Sequence, residues 1–249
     1  MLNLEGKIAI VTGCGSIGDG FGNGRAIATL LARQGANVIG TDINEEAGQN
    51  TCDFITKEGN NCNFYKVNMT DEEDVKKFFN IIKLKNKKVD ILVNNVGQSE
   101  PGGPVEIDSK TWRQQFALNL DAAFFCIKFT IPIMEKNHGG SIVNISSVAG
   151  IRYAGKPQVA YSASKSALRG LSNVLSKEYS RFGVTSNIVQ LGYFEDGLIN
   201  SINKSKAGEI RKQIPSKKFG TVVNIFNAIK FIIDSDYVTG STISIDGGI

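Results

Sequence analysis

The sequence is poor in the residues that bind metals and build disulfide frameworks. Its 249 residues include a single histidine, His138, and four cysteines that form no C-x-x-C pair. Structural zinc sites combine cysteine and histidine at short spacings, so we expect no metal site. Scattered thiols are typical of a reducing compartment, and we therefore expect free cysteines in a cytoplasmic protein.

Long apolar runs and a strong charge imbalance are also missing. No stretch has the length that a membrane span needs, and residues 1–7 do not have the apolar core of a signal peptide. The net charge of +4, from 28 basic and 24 acidic residues, is too small to favour nucleic acid as a partner. With 41% hydrophobic residues, the composition is that of a soluble globular protein. We expect a small-molecule substrate, with neither nucleic acid nor membrane as a partner.

A glycine-rich loop follows the first apolar segment. Residues 7–12 are mostly β-branched and apolar, residues 13–24 hold six glycines, and residues 25–33 have the apolar stripe of a helix. Glycines let a backbone approach a pyrophosphate, and a helix N-terminus presents free N–H groups to it. A flexible surface loop is the alternative, but the flanking strand and helix favour a dinucleotide site. Its candidate residues are Gly13, Gly22, Asn23 and Gly24.

An aspartate ends the second predicted strand. Residues 37–41 form this strand, and Asp42 follows it. A carboxylate at this position can accept hydrogen bonds from the adenosine ribose and would repel a 2′-phosphate. Asp42 therefore favours NAD over NADP, although the alternative role of a turn or helix-cap aspartate stays open.

The remainder of the chain continues the alternation of strands and helices. Further strands are predicted at 62–67, 90–93, 141–146, 184–189 and 242–245, and helices at about 110–137, 161–181 and 222–234. This order predicts an α/β fold, a Rossmann-type doubly wound seven-stranded parallel sheet with helices on both faces. We see no linker and predict a single domain over residues 1–249. Residues 193–216 are polar, and we expect them to form a mobile segment that covers the substrate.

A tyrosine and a lysine lie four residues apart in the segment 161–181. At this spacing Tyr161 and Lys165 share one face of a helix. A nearby positive charge favours the tyrosine anion, and such a pair suits proton exchange with an alcohol or carbonyl. By itself the pair is common on solvated helices, so the surrounding motifs must support this role.

Together the motifs resemble those of the short-chain dehydrogenase/reductase family over the whole chain. They occur in the expected order: Thr12-Gly13 with the glycine-rich turn, Asn94-Asn95-Val96-Gly97, Asn119, Ser147, and Tyr161 with Lys165. The resemblance implies that Tyr161 exchanges the proton and Ser147 binds the substrate oxygen. It also implies that Lys165 holds the nicotinamide ribose and lowers the tyrosine pKa, and that Asn119 holds a water linked to Lys165.

The resemblance extends the set of cofactor residues and implies a homotetramer. Besides those named above, the NAD-binding positions it implies are Asn68, Met69, Asn95, Gly97, Tyr161, Lys165 and Gly192. Three features depart from the family pattern. The glycine-rich turn is longer than usual, Leu191 stands before Gly192 where proline is common, and the gap from Ser147 to Tyr161 is longer. These departures predict an unusual pocket around the tyrosine.

The leading functional hypothesis is an NAD(H)-dependent oxidoreductase that acts on a secondary alcohol or ketone. The C-terminal half resembles 3-oxoacyl-thioester reductases, which are the first alternative. The long glycine-rich turn is similar to that of enoyl-thioester reductases, but those have a wider tyrosine–lysine spacing. A non-catalytic NAD-binding sensor or scaffold is the alternative from another class. The predicted substrate-facing residues are Ser99, Tyr153, Tyr193 and Phe194, and a small polar substrate is favoured over a long acyl chain.

Overall fold

Seven parallel strands form one continuous sheet in a computed structural model that describes residues 2–16, 21–195 and 204–249. The strands are β1 (Ile8–Thr12), β2 (Asn37–Asp42), β3 (Cys62–Lys66), β4 (Ile91–Asn94), β5 (Gly140–Ser147), β6 (Val184–Leu191) and β7 (Thr242–Ile245). Their order in the sheet is β3-β2-β1-β4-β5-β6-β7. This arrangement confirms the predicted doubly wound α/β fold.

The strand order reverses between β1 and β4, which are paired neighbours. All five residues of β1 and all four of β4 are buried, as expected for central strands that are covered on both faces. In sheets of this kind a crevice opens beyond the carboxyl ends of the strands at the reversal point. The segments that follow β1, β4 and β5 therefore surround the expected ligand site.

Helices cover both faces of the sheet. They are α1 (Asn23–Ala32), α2 (Glu45–Lys57), α3 (Glu72–Lys85), α4 (Ser109–Phe116), α5 (Ala122–Lys136), α6 (Val159–Tyr179), α7 (Lys204–Gln213) and α8 (Val222–Asp234). Apolar side chains of α1, α2 and α8 share one core cluster with the sheet, and those of α3, α5 and α6 share the other. The two clusters are the two packed layers that this architecture requires.

The predicted helix over residues 110–137 is interrupted by one π-helical turn. Ala117–Asp121 forms this turn between α4 and α5 and contains Asn119. Single π turns inside α-helices are frequent at functional sites. Among the described residues, the stretch Ser109–Lys136 is the one helix long and apolar enough to cross a membrane. This finding departs from the expectation that no stretch is long enough to span a membrane. Buried side chains of its α5 part belong to the core cluster on one face of the sheet.

The structure corrects the expectation that all the cysteines are free. Cys52 of α2 and Cys62 of β3 form a disulfide, whereas Cys14 and Cys126 are buried free thiols. The two bonded residues are ten positions apart, and the packing of α2 against the edge strand β3 brings them together. The reducing compartment was inferred from the expectation of free cysteines, so this disulfide removes one argument for it.

The predicted mobile segment 193–216 also contains regular structure. Helix α7 occupies Lys204–Gln213, and Phe194 forms an isolated bridge with Gly220. Residues 196–203 lie outside the described part of the chain.

Candidate active site

The glycine-rich loop is shaped by close backbone contacts at the carboxyl end of β1. Gly13 has a φ of +63°, a left-handed conformation that favours glycine. A Cβ on Gly24 would overlap the carbonyl oxygen of Gly13, so the start of α1 packs directly against the loop. The amide nitrogen of Asn95 donates hydrogen bonds to the carbonyls of Thr12 (3.1 Å) and Gly13 (3.0 Å). Gly13, Gly24 and Asn95 are therefore brought together as predicted.

The N-terminus of α1 opens into this loop. Gly22 is the N-cap residue, and its N–H donates to the hydroxyl of Ser16 at 2.8 Å. The side-chain oxygen of Asn23 is buried and has no hydrogen-bond partner in the protein. A buried acceptor without a partner is costly, and it fits a donor group on a bound molecule. Residues 17–20 of the glycine-rich loop, which include Gly18, lie outside the described part of the chain.

Asp42 ends β2 beside the glycine-rich loop. Its carboxylate accepts hydrogen bonds from the backbone N–H of Gly15 at 2.8 Å and of Asn44 at 2.9 Å. These bonds fix the carboxylate at the mouth of the crevice, between the loop and the N-terminus of α2. Each oxygen retains acceptor capacity for ribose hydroxyls. Both the ribose role and the alternative turn role from the sequence are compatible with this position.

Asn68 and Met69 follow β3 and lead into α3. The side-chain oxygen of Asn68 accepts from the backbone N–H and the hydroxyl of Thr70, at 3.1 and 2.8 Å. Met69 is 3% exposed and its sulfur lies 3.4 Å from that of Cys126 in the core. The side chain of Met69 is therefore committed to packing, which leaves its backbone as the part that can contact an adenine.

Ser147, Tyr161 and Lys165 meet where β5 ends and α6 begins. The Ser147 hydroxyl accepts from the backbone N–H of Ala149 at 3.2 Å. Burial raises the pKa of the Tyr161 phenol above its ordinary value of 10.0, and the nearby Ser147 hydroxyl opposes this with a smaller effect. Lys165 is 4% exposed and donates to the carbonyl of Ile145 at 2.9 Å. Burial lowers the pKa of its ammonium to about 8. Lys165 is buried, whereas Ser147 and Tyr161 are partly buried. Together the three side chains can bind a substrate oxygen and move a proton.

The direction of the tyrosine pKa differs from the sequence-based expectation. We expected Lys165 to lower it, but removal from water is the largest effect on the phenol and raises its pKa. The lysine nitrogen lies 6.0 Å from the centre of the Tyr161 ring and its hydrogen bond goes to the backbone of β5. In the protein without cofactor, Tyr161 is therefore a neutral phenol at neutral pH.

Asn119 lies against the same group. A Cβ on Gly97 would come within 2.7 Å of the Asn119 oxygen and 2.8 Å of the Lys165 nitrogen, so these three residues are immediate neighbours. The Asn119 amide accepts from the backbone N–H of Gln98 at 3.1 Å and donates to the carbonyls of Gln98 and Gln115 at 3.0 and 2.9 Å.

Two buried glutamines support the site and were missed from the sequence. Gln115 is 3% exposed, and its side-chain oxygen accepts from the N–H of Glu100 at 3.2 Å. Gln158 is 5% exposed, and its side-chain oxygen accepts from the hydroxyl of Ser99 at 2.8 Å. Gln115 precedes Asn119 by four residues, and Gln158 precedes Tyr161 by three. These spacings place each glutamine about one helical turn from a predicted catalytic residue. That spacing was the available signal.

The predicted substrate-facing residues lie in different environments. Ser99 is paired with Gln158, and the hydroxyl of Tyr193 donates to the carbonyl of Ala154 at 3.1 Å. Tyr153 is 75% exposed on the loop that follows Ser147. Phe194 is 4% exposed and belongs to the core cluster, so its ring is less accessible to a substrate than the sequence predicts.

Gly192 follows β6 and packs on the C-terminal turn. Its N–H donates to the carbonyl of Ile245 at 2.9 Å, and a Cβ on it would come within 2.7 Å of the Asp246 Cα. This close approach explains the need for glycine there even though Leu191 stands in place of proline. Within residues 2–16, 21–195 and 204–249, no group of three or more histidine, cysteine or acidic side chains could hold a metal ion.

A dinucleotide fits these residues. The loop has glycines where side chains would fill the crevice, the N-terminus of α1 faces it, and Asn23 has an acceptor without a partner. Asp42 lies beside the glycine-rich loop, where the adenosine of a dinucleotide would bind. Lys165 lies with Ser147 and Tyr161, where the nicotinamide would bind. A bound nicotinamide cofactor would span the distance between them along the carboxyl ends of the strands.

Comparison with known proteins supports this assignment. Residues 19–249 match the family model described as enoyl-(acyl carrier protein) reductase. The chain is 33% identical over 249 residues to the 3-oxoacyl-acyl-carrier-protein reductase FabG of Escherichia coli (strain K12), covering 99% of this chain and 98% of the relative. It is 34% identical over 260 residues to the uncharacterized oxidoreductase YxbG of Bacillus subtilis (strain 168), covering 100% and 93%.

Solved structures give the same result. A crystal structure from Burkholderia xenovorans, described as a short-chain dehydrogenase/reductase, superposes with a TM-score of 0.93 at 37% identity, covering 98% of this chain and 96% of that one. A gluconate 5-dehydrogenase from Burkholderia cenocepacia J2315, in complex with NADP and tartrate, superposes with a TM-score of 0.90 at 27% identity, covering 99% and 96%. With the matching family model and the geometry of the site, these similarities show that the chain belongs to the short-chain dehydrogenase/reductase family and is an oxidoreductase of the NAD(P)-dependent type.

Proposed function

We propose that the protein is an NAD(H)-dependent oxidoreductase that interconverts a small secondary alcohol and its ketone. The observation that carries the proposal is the placement of Ser147, Tyr161 and the buried Lys165 where β5 ends and α6 begins. These residues lie beside a loop that a dinucleotide fits. A bound nicotinamide supplies or accepts the hydride. The protein must then bind the substrate oxygen and move one proton.

Tyr161 is the residue that moves the proton. Its raised pKa keeps the phenol neutral, which is the form that donates a proton to the oxygen of a ketone as hydride reaches the carbon. In the reverse direction the phenolate must form first, and removing the proton from a buried phenol is unfavourable. The protein is therefore better prepared for reduction than for oxidation at neutral pH.

Ser147 and Lys165 prepare the oxygen and the phenol. The Ser147 hydroxyl is near enough to Tyr161 to affect its pKa, and it can donate to the charge that develops on the substrate oxygen. Lys165, held by the carbonyl of Ile145, places a positive charge below the ring of Tyr161. Gly97 adjoins both the Asn119 side chain and the Lys165 nitrogen, so Asn119 lies close to the lysine. Hydrogen bonds with Gln98 and Gln115 fix the Asn119 side chain.

Asp42 supports a preference for NAD over NADP. Its carboxylate is fixed by two backbone N–H groups at the adenosine end of the crevice. A 2′-phosphate placed there would meet a like charge, whereas ribose hydroxyls could donate hydrogen bonds to it. The gluconate 5-dehydrogenase that resembles this chain binds NADP, so the preference needs a direct measurement.

A small polar substrate is proposed over a long acyl chain. The predicted substrate-facing residues include polar groups: the Ser99 hydroxyl is paired with Gln158, and the Tyr193 hydroxyl donates to the carbonyl of Ala154. Similarity to gluconate dehydrogenases agrees with such a substrate. The 33% identity to 3-oxoacyl-acyl-carrier-protein reductase keeps that activity as the second candidate. The spacing of Tyr161 and Lys165 argues against enoyl reduction.

A homotetramer is proposed for the assembly. Three large apolar side chains are exposed on α4, α5 and α6: Trp112 (38%), Phe124 (45%) and Val174 (53%). The π turn with Asn119 joins α4 to α5, and α6 carries Tyr161 and Lys165. Exposed apolar side chains concentrated on one region mark protein interfaces. An interface there would also stabilise the π turn that holds Asn119.

The function is tested with a panel of ketones and alcohols and NADH absorbance. Tyr161→Phe should abolish turnover while NADH fluorescence titration shows a near-normal Kd, since the phenyl ring keeps the packing and loses the acid. Tyr237→Phe, at a side chain that is 99% exposed, is the matched control and should leave both unchanged. Turnover retained in Tyr161→Phe would contradict the proton-transfer role. NADH binding without turnover of any panel compound by the wild type would favour the sensor or scaffold.

A further inference from the structure

An arginine lies at the mouth of the proposed active site. The loop that leaves Ser147 runs through residues 151–157 before α6 begins, and Arg152 and Tyr153 are exposed on it. The loop is tied to the opposite side of the pocket by the bond from the Tyr193 hydroxyl to the Ala154 carbonyl. Arg152 is therefore positioned between the catalytic serine and the segment that follows β6.

The guanidinium of Arg152 reaches the nicotinamide side of the pocket. One of its nitrogens lies 3.4 Å from an Asp246 oxygen, and Asp246 packs directly against Gly192. The arginine thus extends from the loop of β5 to the residue expected to border the nicotinamide. Arg152 also lies five residues after Ser147 on the same loop, which links it along the chain to the residue proposed to bind the substrate oxygen.

The ion pair with Asp246 uses little of the binding capacity of the arginine. It is a single contact near the upper distance for an ion pair, and the Arg152 side chain is 41% exposed. A guanidinium has five N–H donors in a planar fork that matches a carboxylate at two points. An exposed single-contact pair contributes little to stability, so exchange of partners is inexpensive.

The surroundings add positive charge. Residues 204–218, which comprise α7 and the turn after it, hold six basic residues and one acidic residue. Gln213 at the end of α7 approaches Gly155 of the arginine loop, so this basic segment lies beside the mouth. A cleft bordered by one sign of charge raises the local concentration of ligands of the opposite sign.

We propose that Arg152 binds the carboxylate of the substrate, which is a small hydroxy acid in the alcohol form and the corresponding oxo acid in the ketone form. This inference rests on the proposed oxidoreductase function and specifies its substrate class. In the cofactor-bound enzyme the substrate carboxylate takes the place of Asp246 on the guanidinium. Ser147 and Tyr161 hold the reacting oxygen.

Two substitutions separate carboxylate binding from a role in fastening the loop. Arg152→Gln removes the positive charge and should weaken binding of a carboxylate roughly tenfold or more, as expected for loss of a charged hydrogen bond. Asp246→Asn removes the competing carboxylate and keeps an oxygen that can accept from the N–H of Gly248. It should strengthen carboxylate binding. If Arg152 only fastens the loop, both substitutions break the same contact and act in the same direction.

The experiment measures binding of L-tartrate and of its neutral analogue L-threitol to the enzyme–NADH complex by calorimetry. We expect tartrate to bind more weakly to Arg152→Gln and more tightly to Asp246→Asn, with partial retention in Arg152→Lys and no change for threitol. Failure of tartrate to bind the wild-type complex overturns the inference. Equal effects of the substitutions on tartrate and threitol binding also overturn it. The same holds if Arg152→Gln weakens binding of a carrier-bound thioester and leaves tartrate binding unchanged.

Tartrate binding is measured without turnover, so the proposed oxidoreductase function and the proposed carboxylate site can be rejected separately. Absence of turnover across the ketone panel, with tartrate binding that responds to Arg152 as expected, would reject the oxidoreductase function and leave a carboxylate site. Turnover of neutral ketones that is insensitive to Arg152, with no effect on tartrate binding, would retain the oxidoreductase and reject the carboxylate site.

Discussion

Replacing Lys165 with methionine should make the cofactor-free protein more stable and at the same time inactive. The lysine is 4% exposed, and burial is the largest effect on its ammonium, whose pKa falls from 10.5 to about 8. A charged group that is removed from water for function imposes a cost on folding. Methionine has a similar length and carries no charge, so it can fill the same space without that cost.

The magnitude follows from the pKa. The fall from 10.5 to about 8 corresponds to about 3 kcal/mol, at about 1.4 kcal/mol per pKa unit. Methionine cannot donate to the Ile145 carbonyl, and the lost hydrogen bond costs about 1 to 2 kcal/mol. The net expectation is a stabilisation of about 1 to 2 kcal/mol, or a rise in Tm of about 2 to 8 °C for a protein of this size.

The effect should depend on pH in a defined window. Below pH 8 the lysine is charged in both the folded and unfolded states, so the wild type carries the full cost of burial. Between about 8 and 10.5 the folded protein loses the proton while the unfolded chain keeps it, and the cost is progressively relieved. Above 10.5 both states are neutral. The advantage of Lys165→Met should therefore shrink as the pH rises through this window.

Thermal unfolding of the cofactor-free proteins, followed by circular dichroism across this pH range, measures the effect. Lys177→Met is the control, because Lys177 is exposed on the same helix, and its Tm difference from wild type should be small and independent of pH across the window. A lower Tm for Lys165→Met at neutral pH would refute the reasoning. A difference from wild type that is constant through pH 10.5 would refute it as well, because the cost would then not arise from charge.

Three further outcomes are expected. Asp42→Asn should relax discrimination against NADPH roughly tenfold or more, since a like charge at about 5 Å costs on the order of 2 to 3 kcal/mol before screening. The ratio of NADH to NADPH Kd values measures this, and an unchanged ratio would exclude the ribose contact. Gly24→Ala should destabilise the protein and weaken NADH binding, because its Cβ would overlap the Gly13 carbonyl; normal Tm and Kd would contradict the loop geometry. Light scattering should give the mass of a homotetramer, and a monomer would count against the proposed interface.

Local sequence signals were sufficient to predict the sheet. All the strands except β3 are short runs that contain apolar, β-branched residues, and β7 begins and ends at the predicted residues 242 and 245. The start of α3 is set by a similarly local feature, because the Asp71 side chain caps it by accepting from the N–H groups of Glu73 and Asp74. These features depend on residues within one segment, which is why they can be recovered without knowledge of the fold.

Features that join distant segments could not be predicted in the same way. The Cys52–Cys62 disulfide requires α2 to pack on the edge strand β3, and the pair of Ser99 and Gln158 joins positions 59 residues apart. Helix α7 was missed because its sequence is polar and its apolar residues are few. In each case the deciding contact lies outside the window in which a sequence pattern is read.

The pKa of Tyr161 connects these two kinds of information. From the sequence we expected the lysine four residues away to lower the pKa of the phenol. Spacing along a helix indicates which side chains are neighbours, so the nearby positive charge could be predicted. Burial, which acts in the opposite direction and is larger, depends on how β5, α6 and the loop before α6 enclose the ring. The same enclosure lowers the pKa of Lys165. The raised pKa of Tyr161 and the lowered pKa of Lys165 therefore have the same main cause, which is removal of the charged form from water. A neutral phenol above a lysine that is still charged at neutral pH can donate a proton without prior ionisation. For this reason we expect ketone reduction to be the direction for which the cofactor-free site is prepared.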